Sequence, residues 1–419
     1  MKLPGIRCDL EFFPIQHEGQ QFVLIRDGLG LVEEGKAVGL PLFQIMGLLD
    51  GDTTLRDLQT ALMRQKGGTL VSTDEIQRLV AHLDESFLLD SERYREARNR
   101  MIADFASRRL RPCSHCGKSY PRTPSELKAR LDKILNSHPV PAPSETKITA
   151  LMAPHIDLSV GFRSYAAAYQ TLKGTACARI ILLGVGHQLQ GSLFCLTDKD
   201  FETPLGLLQA DQEAVGRLRE AGRDIIAAND FVHRTEHSIE FQAIFLQHVL
   251  PDLSPAIVPI LCGSLQAGLP DYTRQAYQET AGGFLENLKS LVREPEQDTL
   301  IIAGVDFCHI GPKFGHTMPA PAMEAQARTH DRNLLRHLVN QDADGFWKES
   351  RSVGDRFNVC GFSALACLLE ILPDCRGEVL HHEIWHEPPT RSAVSFAAAV
   401  FRQKPESPDR ETCPARSLQ

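Results

Sequence analysis

The chain has 419 residues, 42% of them hydrophobic, with a formal net charge of -8 and a pI near 6.1. That length allows two domains or one large one with a sizeable core, and the acidic balance argues against a nucleic-acid binder, which concentrates positive charge on one face. Met1 to Arg7 lacks the apolar run of a secretory signal, no apolar stretch approaches the roughly 20 residues that span a bilayer, and eleven scattered cysteines suit a reducing compartment, so a cytoplasmic protein with no membrane partner is expected.

Residues from about 20 to 90 read as one unit. Phe22-Val23-Leu24-Ile25 is an apolar strand, and a turn-rich stretch with Gly28, Gly30 and Gly35 follows. A first helix carries Leu40, Phe43, Ile45, Met46 and Leu49, and a second starts after Asp52-Thr53-Thr54. The third opens with Ser72-Thr73-Asp74-Glu75, a capping box in which hydroxyl and carboxylate each satisfy a free backbone amide. Ile76, Leu79, Val80, Leu83 and Phe87 recur at helical spacing and are expected to face a core. With the phrase Leu48-Leu49-Asp50-Gly51-Asp52-Thr53-Thr54-Leu55, this order resembles the PqqD-like winged-helix domains, small α+β folds that recognise peptides for radical SAM maturation systems. The resemblance implies a domain over residues 1–105 that binds a peptide as an added strand, near Phe22 to Arg26.

A charged stretch from Ser91 to Arg111 leads into Pro112-Cys113-Ser114-His115-Cys116-Gly117 and then Pro139-Val140-Pro141-Ala142-Pro143. Residues 106–145 are therefore expected to be a linker. A single Cys-x-x-Cys is half of a zinc knuckle, a redox pair or simply two loop cysteines, because no second pair follows at the usual spacing.

From Thr146 short apolar strands alternate with helical segments, the pattern of a three-layer α/β domain over residues 146–402. Expected strands are Ile148 to Met152, Arg179 to Leu183, Leu193 to Leu196, Ala256 to Leu261, Leu300 to Ala303, Glu378 to Trp385 and Ala393 to Phe401. Expected helices are Ser164 to Leu172, Ala210 to Ala221, Asp271 to Arg293, Ala322 to Asn340 and Gly361 to Ile371. The polar stretch 403–419, with three prolines, is expected to be disordered.

Three strands run directly into a histidine: Met152-Ala153-Pro154-His155, Leu183-Gly184-Val185-Gly186-His187 and Ala303-Gly304-Val305-Asp306-Phe307-Cys308-His309. Ligands of open α/β sheets bind beyond the carboxyl ends of the strands, so these imidazoles are expected in one crevice. Cys360 precedes the apolar helix Phe362 to Ile371, where helix amides would lower a thiol's pKa and suit a ligand or a nucleophile. Cys308 is expected to point away from the crevice, and Cys367 and Cys375 read as core or loop residues. Glu236-His237-Ser238-Ile239-Glu240 opens a further helix, with Glu236 and Glu240 on one face and His237 directed into the pocket.

Together with Thr203-Pro204-Leu205-Gly206 and Val359-Cys360-Gly361, these motifs resemble, in order and spacing, the Memo family, over about 255 residues from Thr146 to Phe401. The resemblance implies the fold of class III non-haem-iron extradiol dioxygenases. It also implies a metal held by His155, His187 and Cys360, with Asp306 and His309 beside it, and His309, Asp306 and His237, in the pocket, are the expected catalytic groups. Iron(II) is the expected metal, and a thiolate also suits copper or zinc. Radical SAM and AMMECR1-like proteins are implied partners, as in some bacteria and archaea. The chain departs from the family's usual phrases at Ile156-Asp157, Gln188 and Phe362, and Asp157 is expected to add a carboxylate near the site.

His382-Glu383-Ile384-Trp385-His386 matches the zincin pattern, which needs a helix. A strand is expected here, and at ~3.3 Å per residue its imidazoles stand about 13 Å apart, too far to share zinc. Gly184-Val185-Gly186 lacks the third glycine of a dinucleotide fingerprint. The reading is a metal-dependent redox enzyme of a modification pathway with His309 as acid or base. Two alternatives are a non-enzymatic metal- or peptide-binding partner protein and a cysteine hydrolase using Cys360 with His309 and Asp306.

Overall fold

The computed structural model describes residues 2–65, 67–139, 146–251 and 253–404. They divide into two units, Met1–Ser107 and Arg108–Gln419.

In the first unit, β1 (Leu10–His17) and β2 (Gln20–Asp27) form a hairpin that pairs His17 with Gln20. Its two-residue turn, Glu18-Gly19, has positive φ at both positions, the geometry that matches the strands' own twist. β3 (Ala37–Gly39) pairs with the other side of β2, and α1 (Leu40–Met46), α2 (Leu55–Gln65), α3 (Thr73–Glu85) and α4 (Glu92–Ser107) come next. The capping box forms as expected, Ser72 and Glu75 each bonding the other's backbone amide. Ile76 and Leu83 are buried in the core with Val23, Ile25 and Leu58, and Leu79, Val80 and Phe87 pack against it. The segment expected to offer a peptide edge, Phe22 to Arg26, lies instead in the middle strand. The outer strands are β1 and β3.

The second unit comprises β4 (Leu110–Arg111), α5 (Pro124–Leu135), β5 (Ile148–Ala153), α6 (Phe162–Tyr169), β6 (Arg179–Val185), β7 (Phe194–Leu196), β8 (Asp200–Thr203), β9 (Gly206–Leu208), α7 (Gln212–Ala221) and α8 (Glu240–Val249). It continues with β10 (Ala256–Cys262), α9 (Leu265–Gly268), α10 (Arg274–Val292), β11 (Thr299–Gly304), β12 (Asp306–Ile310), α11 (Ala320–Val339), α12 (Ala343–Val353), α13 (Phe362–Ile371), β13 (Cys375–Glu387) and β14 (Ser392–Gln403).

The main sheet runs β12-β14-β5-β11-β6-β10-β7, with β13 also on β14. Its centre is parallel: β11 lies between β5 and β6, and β10 pairs with β6. Alternate residues of each central strand enter cores on opposite faces. Ala150, Met152, Ile181 and Leu183 join α7, α10, α11, α12 and α13, while Leu151, Ala153, Ile180 and Leu182 join α5, α6 and α8. Burial on both faces is why these strands read as continuous apolar runs. The sandwich of helices, sheet and helices is the three-layer α/β architecture expected.

The stretch 106–145, expected to be a linker, is built into this unit where it is described. Leu110 and Arg111 pair with β8, a disulfide joins Cys113 to Cys116, and α5 buries Leu127, Leu131, Ile134 and Leu135 in the core. Charge and prolines concealed an amphipathic helix capped by Thr123. Pro141 and Pro143 lie outside the described residues, as does most of the tail; Gln403 still belongs to β14. His382 and His386 sit on β13 as expected, paired separately with Asp331 and Glu324. Among the described residues no helix is long and apolar enough to cross a membrane.

Candidate metal centre

Parallel strands end together, so the loops leaving β5, β6 and β11 meet at one edge of the sheet. His155, two residues beyond β5, is buried, and its Nδ1 donates to Gly304 O at the end of β11 across 2.9 Å. His187, two residues beyond β6, donates from Nδ1 to Glu236 at 3.0 Å. His237 brings Nδ1 to 3.2 Å from Glu236 Oε1. One potential ligand atom from each of the three imidazoles lies within 4.8 Å of the others, a group that could hold a metal ion. Fixing one ring nitrogen on a carboxylate or carbonyl sets the tautomer and leaves the other free for a metal.

Glu236 orders this group. Its carboxylate accepts the amides of His187 at 3.1 Å, His237 at 2.8 Å and Ser238 at 3.0 Å, besides the His187 ring. Burial works against its charge, but His187 and these amides hold it well below the usual carboxylate range. Burial pulls the His187 imidazole down, yet Glu236 and Cys360 outweigh that and raise it. His155 and His237 are both pushed down to about 3, first by burial and then by neighbouring imidazoles, and so are neutral at neutral pH. Two neutral imidazoles and one tied to a carboxylate make a donor set that fits a divalent cation.

The remaining expected residues surround this trio. Asp306 is buried; its Oδ1 accepts the His155 amide at 3.1 Å, and its Oδ2 is 3.6 Å from His155 Nε2. Desolvation pushes its carboxyl up to about 6. Cys360, just before α13, places Sγ 3.5 Å from His155 Nε2 and 3.5 Å from Asp306 O. The helix start was expected to lower this thiol, but burial dominates and raises it. His309 gives its Nδ1 proton to Phe307 O at 2.9 Å and lines, with His187 and Cys360, a cleft of about 490 Å³ walled by Leu265, Tyr272, Phe314 and Phe362. Thus His237, expected as a catalytic group, stands with the two expected imidazole ligands, and Cys360, expected as the third ligand, stands beside them.

Asp157, expected near the site, is exposed and accepts the Ser159 amide in a turn of its own. Cys308 points away as expected, bonding Asp331 Oδ1 at 2.9 Å. Glu236 and Glu240 do not share a helix face, because α8 begins only at Glu240. Glu240 turns instead to Arg111, Tyr120, the Ser114 hydroxyl and the amides of Ser114 and His115. Sequence reasoning missed Arg111, Tyr120 and His115, whose ring centroid lies 5.5 Å from that of His237. It also missed Gln242, which donates to Pro154 O and Ser238 O while accepting from Tyr169. A signal for that crossing was present in the glycines at the strand ends: a Cβ on Gly304 would meet Ser238 O at 2.5 Å and one on Gly184 would meet Ser238 Oγ at 2.6 Å.

Fold and site together define a three-layer α/β protein with a histidine-built candidate metal centre at the carboxyl ends of its parallel strands. The family model for Memo-like proteins matches residues 111–400, and the chain belongs to the Memo family. It is 32% identical over 409 residues to a MEMO1 family protein of Aquifex aeolicus, covering 94% of this chain and 99% of that one. A MEMO1 family protein of Thermus thermophilus is 27% identical over 349 residues, covering 83% and 99%. The memo-1 homolog of Caenorhabditis elegans is 30% identical over 207 residues, covering 49% of this chain and 54% of its own.

Proposed function

We propose that this chain is a metal-binding protein that holds one divalent ion on His155, His187 and His237, with Cys360 as a further donor, and carries out redox chemistry in the adjoining cleft. The observation that carries the reading is the convergence of three imidazoles whose second nitrogens are already committed to Gly304 O and Glu236. Imidazoles beside a carboxylate suit iron(II), and a thiol widens the choice to copper and zinc. When bound, such an ion supplies Lewis-acid or redox chemistry. His309, with Nδ1 committed to Phe307 O, presents Nε2 as a proton acceptor, and Asp306 can hold a proton close to neutral pH. The redox assignment and the association with radical SAM and AMMECR1-like partners rest on the family resemblance.

The hydrolase alternative is less well supported, because Cys360 Sγ sits against His155 and Asp306 O, with His187 also bonded to it, and burial raises the thiol. Partner binding is compatible with the metal reading: β1 and β3 each pair only with β2 among the described residues, leaving an outer edge for a peptide strand. Cys360→Ser tests the fourth donor. Zinc(II) affinity should fall sharply with the fold retained, and unchanged affinity removes Cys360 from the ligand set.

A further inference from the structure

We propose that Cys113 and Cys116 are a second reactive site, a disulfide–dithiol pair whose substrate is a dithiol reductant, and that the bridged form holds His237 in the metal centre. This rests on the metal reading of the histidine site. The two residues between the bridged sulfurs are those that grip Glu240: Ser114 through its amide at 3.1 Å and hydroxyl at 2.8 Å, His115 through its amide at 2.9 Å. Glu240 starts α8, three residues after His237. The His115 ring packs on His237 and on Phe241, with centroids 5.5 and 5.7 Å apart, and its Nε2 lies 3.0 Å from Thr235 O, the residue before Glu236. The loop therefore clamps both sides of the Glu236-His237 segment.

Both sulfurs are half-buried, whereas Cys177, Cys195, Cys262, Cys308, Cys367 and Cys375 are buried. A bridge across a separation of three closes one of the shortest loops and so contributes little through chain entropy, which suits a reversible bond better than a permanent staple. In the step, a thiolate of the reductant attacks one sulfur, the Cys113–Cys116 bond breaks and a mixed disulfide forms, the departing sulfur taking a proton. The second thiolate of the reductant then displaces the other cysteine, which is protonated in turn. Two electrons pass to the chain, and the reductant leaves as its disulfide. Opening the bridge releases the backbone of Ser114 and His115, and with it two of the amides that seat Glu240.

The test uses the full chain, anaerobically, with Co²⁺ as the probe. Three forms are compared: the bridged protein, the same protein reduced by dithiothreitol and freed of reductant, and the Cys113→Ser/Cys116→Ser variant. Opening should weaken Co²⁺ binding about tenfold or more, as loss of support around a ligand does. In the metal-free protein it should speed amide exchange over residues 111–120 and 235–240 while far-UV circular dichroism is unchanged. Equal affinity together with equal exchange in bridged and opened forms overturns the proposal, as does a bridge that dithiothreitol leaves closed in the folded protein. If the bridged protein binds no Co²⁺, the metal reading fails, and the exchange comparison still decides whether the bridge holds the His237 segment.

Discussion

Arg111 and Glu240, 129 positions apart in the chain, form an ion pair whose side chains are both fully buried. Arg111 also donates to His233 O at 2.8 Å and Glu236 O at 2.7 Å, so one guanidinium ties β4 to both ends of the segment that carries His237. Removing one partner of a buried pair strands the other charge, which costs about 3–5 kcal/mol. Arg111→Met should therefore lower unfolding stability by about that amount, read from denaturant midpoints. A loss below about 1 kcal/mol would show that the pair does not brace the site.

Glu236 touches all of the segments that bring His187 and His237 together, and Glu236→Gln keeps its shape while removing its charge. Metal affinity should fall about 10- to 100-fold, the usual effect of losing a carboxylate behind a ligating histidine. His309→Ala should leave metal content nearly unchanged and lower any turnover about 10²- to 10⁴-fold if it acts, as proposed, in proton transfer. Competition with a chromophoric chelator separates the two variants. Equal metal loss in both would place His309 among the ligands.

The metal-free protein should lose stability as pH falls from about 6 to 4. Burial depresses His155 and His237 to about 3, so each contributes stability that is present above the unfolded value near 6.5 and lost as pH falls toward 3. Asp306, raised to about 6 by burial, works oppositely: its contribution is present below the unfolded value near 3.9 and lost as pH rises through 6. His187, raised, is protonated in both states across this window. Over these four groups the unfolded state thus binds about one net proton more than the folded state, a slope of about 1.4 kcal/mol per pH unit, and buried His233, pushed down to about 4, adds in the same direction. Urea titrations at pH 6, 5 and 4 check the sign; rising stability toward pH 4 would contradict these environments.

Much of this was legible in the chain. Strands buried on two faces show as apolar runs, and histidines just beyond β5 and β6 identify the crevice without any contact being known. The brace was not legible, because nothing local to Arg111 indicates a partner 129 positions away, and its charged, proline-rich surroundings imitate a linker. β1 was hidden by Pro14, a residue that strands admit at their edges, and β8 and β9 are too short to show a period. The placement of His237 beside His155 and His187 was equally out of reach, since it depends on how Glu236 turns before α8 begins.

The most direct test of the metal centre is elemental analysis of anaerobically purified protein, with the His155→Ala/His187→Ala/His237→Ala variant alongside. The parent should carry about one equivalent of a transition metal per chain, with iron expected first. The triple variant should carry essentially none while remaining folded by far-UV circular dichroism. Metal at equal stoichiometry in the triple variant, or a parent that neither contains nor takes up iron, copper or zinc, would contradict a metal centre built on these histidines.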